Sequence, residues 1–219
     1  MKKILLGSLL SAICAVSNAG TVIGATGAAI NYGVPGFGSI ADTYNQNGLF
    51  TKYVSGVMDF ATYISGNPMH NYLFSGNEWF SNQNSTTASV TYDLGSTKTI
   101  GAMALWNEEA SGIGTLNLLS STDGVSFFAL LSGLMPIDST NQQDYGVQVF
   151  SFTSTDFRYL RLDMSNCPQR PAVFNACAIG EVAFNALPDT TRAVPEPTTF
   201  ALLGLGLVGF VVSRRKSAK

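Results

Sequence analysis

Trp106-Asn107-Glu108-Glu109 sets a flat aromatic face beside amide and carboxylate side chains, and Ser111-Gly112-Ile113-Gly114 follows it. These are the types a sugar site uses. Planar groups lie against C–H faces, and Asn and Glu bond to hydroxyls. The segment falls where an apolar run gives out into a loop, so it is the leading ligand-binding candidate. The competing reading is a solvated loop with Trp106 in the core. Support for catalysis is thinner. The chain has one histidine, His70, and neither a G-x-S-x-G elbow nor an H-E-x-x-H motif. Carboxylate pairs could serve a glycosidase, where separation in space decides. Glu108 and Glu109 are adjacent, and on a strand they would point to opposite faces. No catalytic residue is assigned.

Cys167 and Cys177 flank "PQRPAVFNA". In an exported chain an even pair is most simply a disulfide. Free buried thiols and metal ligation are the alternatives. The second is disfavoured because there is no C-x-x-C and His70 is far away in sequence.

Export itself is written at the ends. Lys2 and Lys3 precede an apolar run over residues 4–16, and Ser17-Asn18-Ala19 offers small residues for cleavage. That is the layout of a secretory signal peptide over residues 1–19. Cys14 is not a lipidation site, because Ile13 stands where such a signal needs a small residue. At the other end Val194-Pro195-Glu196-Pro197 is stiff and extended. An uncharged apolar run over residues 200–212 follows, then Arg214, Arg215, Lys216 and Lys219. As a helix that run spans about 20 Å, short of a hydrocarbon core of roughly 30 Å. Gly204, Gly206 and Gly209 spell G-x-G-x-x-G there, but the chain ends before the acidic partner of a dinucleotide fingerprint could occur.

The order "VPEP", apolar helix, "SRRK" resembles the PEP-CTERM sorting signal of Gram-negative bacteria. The resemblance covers residues 194–219. It implies processing by signal peptidase and an exosortase, with transient inner-membrane anchoring and delivery to the cell surface or extracellular matrix.

The working domain is then residues 20–193. Six of the twelve basic residues lie in the ends, whereas all fourteen acidic residues lie between Asp42 and Glu196. Counted through Pro197, so that Glu196 is included, the chain without its basic ends carries a net charge of −8. Such a balance argues against binding nucleic acid or anionic lipid through a basic surface. Helical periodicity is almost absent from the working domain, and short apolar or alternating runs are punctuated by Gly, Asn, Asp and Ser. Strands are expected over residues 90–94, ended by Gly95, and over residues 100–106, buried on both sides. Others follow at 116–120, 125–131, 145–152, 158–164 and 179–184, with Thr122-Asp123-Gly124 as a turn. One or two strands and long loops fill the region before residue 81. The fold class is all-β, an antiparallel sandwich or jelly roll, with a signal helix before it and a hydrophobic helix after it.

"SVTYDLGSTKTIGAMALWN", "LLSSTDGVSFFAL", "FRYLRLDM" and "IGEVAF" together resemble successive strands of the discoidin, or coagulation-factor type C, domain. The resemblance covers about residues 77–185 and implies a galactose-binding-like β-sandwich whose end loops bind glycan, phospholipid or protein. It implies that Asp93, Leu94 and Gly95 end a strand. It also implies that Arg158 and Arg161 pair with carboxylates in or near the sheet, and that Trp79 packs in the core. Related domains hold a structural calcium. "NQNGLFT" resembles their loop, with asparagines replacing aspartates, and Glu181 matches their closing glutamate. Asn45, Asn47, Thr51 and Glu181 are the implied ligands, fewer than the 6–8 oxygens calcium takes.

The expected function is non-catalytic binding of carbohydrate, exopolysaccharide or surface glycan, outside the cell. A structural or adhesive matrix protein without a small ligand is the alternative, and a hydrolase the third.

Overall fold

The computed structural model describes residues 20–171 and 174–188. The signal segment, the sorting motif and both terminal helices expected from sequence lie outside the described residues. Among the described residues no helix is long and apolar enough to cross a membrane.

Eight strands carry the fold. They are β1 (Thr21–Ile23), β2 (Gly27–Tyr32), β3 (Trp79–Phe80), β4 (Ala88–Asn107), β5 (Thr115–Ser121), β6 (Phe128–Leu134), β7 (Gln148–Ser165) and β8 (Ala178–Ala186). Among the described residues a 3-10 turn spans Ile40–Thr43, and a short α-helix, α1 (Phe60–Ser65), is capped by Asp59, whose side chain accepts the Thr62 N–H. All strand pairs are antiparallel.

The expected strands at 90–94 and 100–106 are one strand, β4, and those at 145–152 and 158–164 are one strand, β7. The two long strands pair from Ala88↔Met164 to Leu105↔Gln148, and the register breaks between Asp93 and Lys98. Gly95 sits at that break with φ +81° and donates its N–H to Asp93 Oδ1. A residue at positive φ bends a strand without having to end it. Arg158 grips both Asp93 oxygens at 2.8 Å from the facing strand. Arg161 lies 3.2 Å from Asp163. Both arginines thus pair with carboxylates, as expected.

The break divides the strands into two layers. The N-terminal half of β4 lies between β2 and β7, with β5 and β6 beyond. Its C-terminal half lies between β8 and the first half of β7, with β1 beyond β8. Val90, Tyr92 and Leu94 alternate inward from the first layer and join Met103, Leu105 and Phe184 of the second in one core. Tyr92 and Phe184 meet edge to face across it at 6.3 Å. This is the expected antiparallel sandwich.

The second layer is covered on its outer face too. Ala102, Ala104 and Trp106 pack there against Leu49, Tyr53, Phe60 and Tyr63 from the N-terminal segment and against Tyr145. That double burial is why residues 100–106 read as a continuous apolar run. Trp79 is fully buried in the core. The sixth strand starts at Phe128 rather than at residue 125. Asp123 Oδ1 accepts the N–H groups of both Val125 and Ser126, so the turn runs on and leaves Val125 83% exposed. Cys167 and Cys177 are joined in a disulfide.

Candidate functional site

β4 ends at Asn107, and the chain turns at once. Asn107 is buried, and its amide holds the turn together. It accepts the Ile113 N–H and donates to the Ile137 carbonyl and to Gln169 Oε1. Glu108 closes the turn by accepting the N–H groups of Ala110 and Ser111. Because these residues lie in a turn and not on a strand, Glu108 and Glu109 do not part to opposite faces. Both line one cavity.

The cavity holds about 620 Å³, within the range of about 300–1,000 Å³ typical of ligand sites. Glu78 joins the two glutamates, and one oxygen from each of the three carboxyls lies within 4.8 Å of the others. Glu78 is placed by β3. Trp79 turns into the core, so its neighbour faces the other way. The walls are aromatic. Phe37 meets Phe174 edge to face at 4.8 Å, Phe80 meets Phe174 at 5.7 Å, and Phe74 meets Phe80 at 5.2 Å. Phe37, Tyr72 and Phe74 stand at the rim, each exposed over more than two-fifths of its surface. Exposed aromatic side chains gathered around a concavity are a binding signature.

Behind the carboxyls lies a buried polar layer. Tyr145 donates to Glu78 Oε1 at 2.6 Å. His70 exchanges two backbone hydrogen bonds with Tyr145 and stacks beside its ring at 4.9 Å. His70 Nδ1 lies 2.7 Å from the Asn71 carbonyl, which can only accept, so Nδ1 carries the hydrogen. Burial lowers the His70 pKa to about 4, so the ring is neutral. Burial raises Glu78 to about 8, against the Tyr145 hydrogen bond, which pulls it down. Glu108 is pushed well above the carboxylate range, first by burial and then by its neighbours Glu109 and Glu78.

The site expected from sequence is therefore half assembled. Glu108 and Glu109 line the cavity. Trp106 is fully buried in the core and donates Nε1–H to the Pro68 carbonyl, so it offers no face to a ligand. Asn107 spends its amide on the turn. Sequence reasoning missed Glu78 and the four phenylalanines. The alternation at Glu78-Trp79 was the available signal for the first.

The residues implied for calcium lie elsewhere. Glu181 is fully buried; Oε2 accepts the Gln46 N–H, and Oε1 has no partner. Burial and the nearby Asp42 raise its pKa well above the usual range. Asn45 Oδ1 accepts the Asn47 N–H, and the Thr51 carbonyl accepts from Tyr63. Glu181 is thus the one member of that set with a buried, unpartnered oxygen. Such an oxygen fits a cation or a proton.

Residues 193–216 match the PEP-CTERM protein-sorting motif. This motif indicates export and membrane-anchored sorting with exosortase processing. No curated protein matches the chain. The structural neighbours include carbohydrate-binding modules. One is CpGH89CBM32-5 from Clostridium perfringens in complex with GalNAc-β-1,3-galactose, at 19% identity and TM-score 0.40, covering 50% of this chain and 75% of that one. Another is the CBM32 of AlyQ in complex with 4,5-unsaturated mannuronic acid, at 19% identity and TM-score 0.43, covering 74% and 96%. A third is the chitosan-binding module 1 from a chitosanase/glucanase of Paenibacillus sp. IK-5, at 17% identity and TM-score 0.40, covering 49% and 74%.

Proposed function

We propose that this chain is an exported, non-catalytic carbohydrate-binding protein of the cell surface or extracellular matrix, and that its site is the aromatic-walled cavity. One observation supports this above the rest. Glu78, Glu108 and Glu109 converge at the base of a cavity whose rim and walls are Tyr72, Phe37, Phe74, Phe80 and Phe174. Rings give a sugar its C–H contacts, and carboxyls and the nearby Gln142 and Asn141 give its hydroxyls partners. The sorting motif supports the location, with exopolysaccharide or a surface glycan as the partner. A glycan array with the intact protein tests the reading. Binding that Phe74→Ala and Phe174→Ala abolish is expected. A blank array sinks it and leaves an adhesive matrix role.

Hydrolysis is the second reading, favoured by the spacing of the carboxyls. Retaining glycosidases hold two about 5–5.5 Å apart. Both Glu108 oxygens already accept backbone N–H groups, which argues for positioning over chemistry. No reducing sugar is expected to appear when bound oligosaccharide is incubated with the protein. Its release would favour the hydrolase.

Calcium is proposed as a structural ion at Glu181, separate from the cavity. Glu181 would supply the unpartnered Oε1, and the ion would stabilise the loop that carries Asn45, Asn47 and Thr51.

A further inference from the structure

The cavity carboxyls have six oxygens, and four have donors. Glu78 Oε1 accepts from Tyr145, Glu108 accepts from Ala110 and Ser111, and Glu109 Oε1 accepts from Gln142 at 2.9 Å. Glu78 Oε2 and Glu109 Oε2 have none, although their side chains are only 1% and 4% exposed. A buried carboxyl oxygen left unpaired is costly in either state, as an acceptor without a donor or, once burial protonates it, as a hydroxyl without an acceptor, by about 1–3 kcal/mol. Among the described residues no arginine or lysine ion pair answers these two oxygens either, since the arginine pairs run to Asp93, Asp163 and Asp138. His70, 3.8 Å from Glu78, has spent its Nδ1 hydrogen on Asn71.

What the cavity lacks is a compact donor with a positive charge, in a setting with aromatic faces. We propose that it takes a primary ammonium group and, on the saccharide reading above, that its ligand is an amino sugar. The ammonium donates to Glu78 Oε2 and Glu109 Oε2, and the sugar ring lies against Phe37, Phe74 and Phe174. Aromatic faces favour a cation further. A divalent metal fits less well. It needs about six to eight oxygens or a retained shell of water, and the cluster offers two free oxygens beneath apolar walls. A uronic acid would bring a like charge into the cluster. Without a cation beside it, burial holds Glu78 at about 8, so the ammonium re-ionises the cluster and releases a proton on binding.

The test is calorimetry on the intact protein with four probes: a glucosamine tetramer, the matched N-acetylglucosamine tetramer, a neutral galactose oligomer and calcium chloride. The glucosamine tetramer is expected to bind at least tenfold tighter than its N-acetylated match. Glu109→Gln is expected to erase that preference, with an unchanged melting profile showing that it folds. Glu78→Gln should do the same. Equal or tighter binding of the N-acetylated or galactose oligomer overturns the ammonium assignment and leaves the saccharide reading standing. Calcium that binds and is lost with Glu109→Gln overturns it in favour of a metal. No binding of any sugar overturns both.

Discussion

Tyr145 donates its phenol hydrogen to Glu78 Oε1 at 2.6 Å, across 67 residues of sequence, with both groups buried. The bond ties Glu78, just before β3, to the segment that leads into β7. Gly180 makes it possible, because a Cβ there would collide with the Tyr145 hydroxyl. Gly180→Ala is therefore expected to push Tyr145 aside, at about 1–3 kcal/mol. Tyr145→Phe should cost a similar amount by leaving Glu78 Oε1 without its donor. Both changes break one contact, so the double variant should cost less than the sum, with a coupling of about 0.5–3 kcal/mol. Urea denaturation of the four proteins measures it. Strict additivity would show that the glycine serves something else.

Much of the sandwich was legible. Val90, Tyr92 and Leu94 alternate because they face the core between the layers. The continuous run at 100–106 announces a strand covered on both faces. Strand continuity was not legible, because Gly95 at positive φ looks like an end and serves as a bend. At the site, residue type found Glu108 and Glu109, and the same logic misplaced Trp106, whose neighbours already marked it as core. Glu78 and the phenylalanine walls come together only through long-range pairing: β3 joins β8, and Phe37 reaches Phe174. No local pattern encodes those contacts.

The buried ionisable groups pull stability in opposite directions with pH. His70 is lowered from 6.5 to about 4, so its contribution is full above pH 6.5 and is lost as pH falls towards 4. Glu78 is raised from 4.5 to about 8, so its contribution is full below pH 4.5 and is lost as pH rises through 8. Glu108 and Glu181 add to the Glu78 trend, being raised as well. Thermal melts should show stability declining from pH 6.5 to 8. Glu78→Gln should lessen that decline, by up to about 2 kcal/mol over the interval at roughly 1.4 kcal/mol per proton per pH unit. His70→Gln should lessen the loss below pH 6.5. A variant whose pH profile parallels the parent's would refute the assignment for that residue.

The Cys167–Cys177 bridge closes a short loop, with a sequence separation of 10. Chain entropy for a loop of that size gives about 3 kcal/mol, on a model in which the bridge acts on the unfolded chain. Cys167→Ser with Cys177→Ser should lower the urea midpoint accordingly, without altering the slope much. Both sulfur-bearing residues are buried, so reductant should act on the native protein slowly and on the unfolded protein fast. Equal reduction rates in the two states would mean that the loop opens on its own.

Glu181 separates the two acidic sites of the molecule. Its Oε1 is buried without a partner, and the Gln46 N–H on Oε2 leaves room for one more group. A bound calcium ion stabilises the fold by mass action, by about 2.7 kcal/mol at a hundred times its dissociation constant. The melting temperature of the intact protein should therefore rise in millimolar calcium and fall back with chelator. Glu181→Gln should abolish the rise, because an amide brings no charge. Glu109→Gln should retain it, because the cavity carboxyls belong to a different site. A melting temperature indifferent to calcium would mean that a proton, not a metal, satisfies Glu181. Its neutral carboxyl then stabilises the fold at low pH, and the calcium proposal fails.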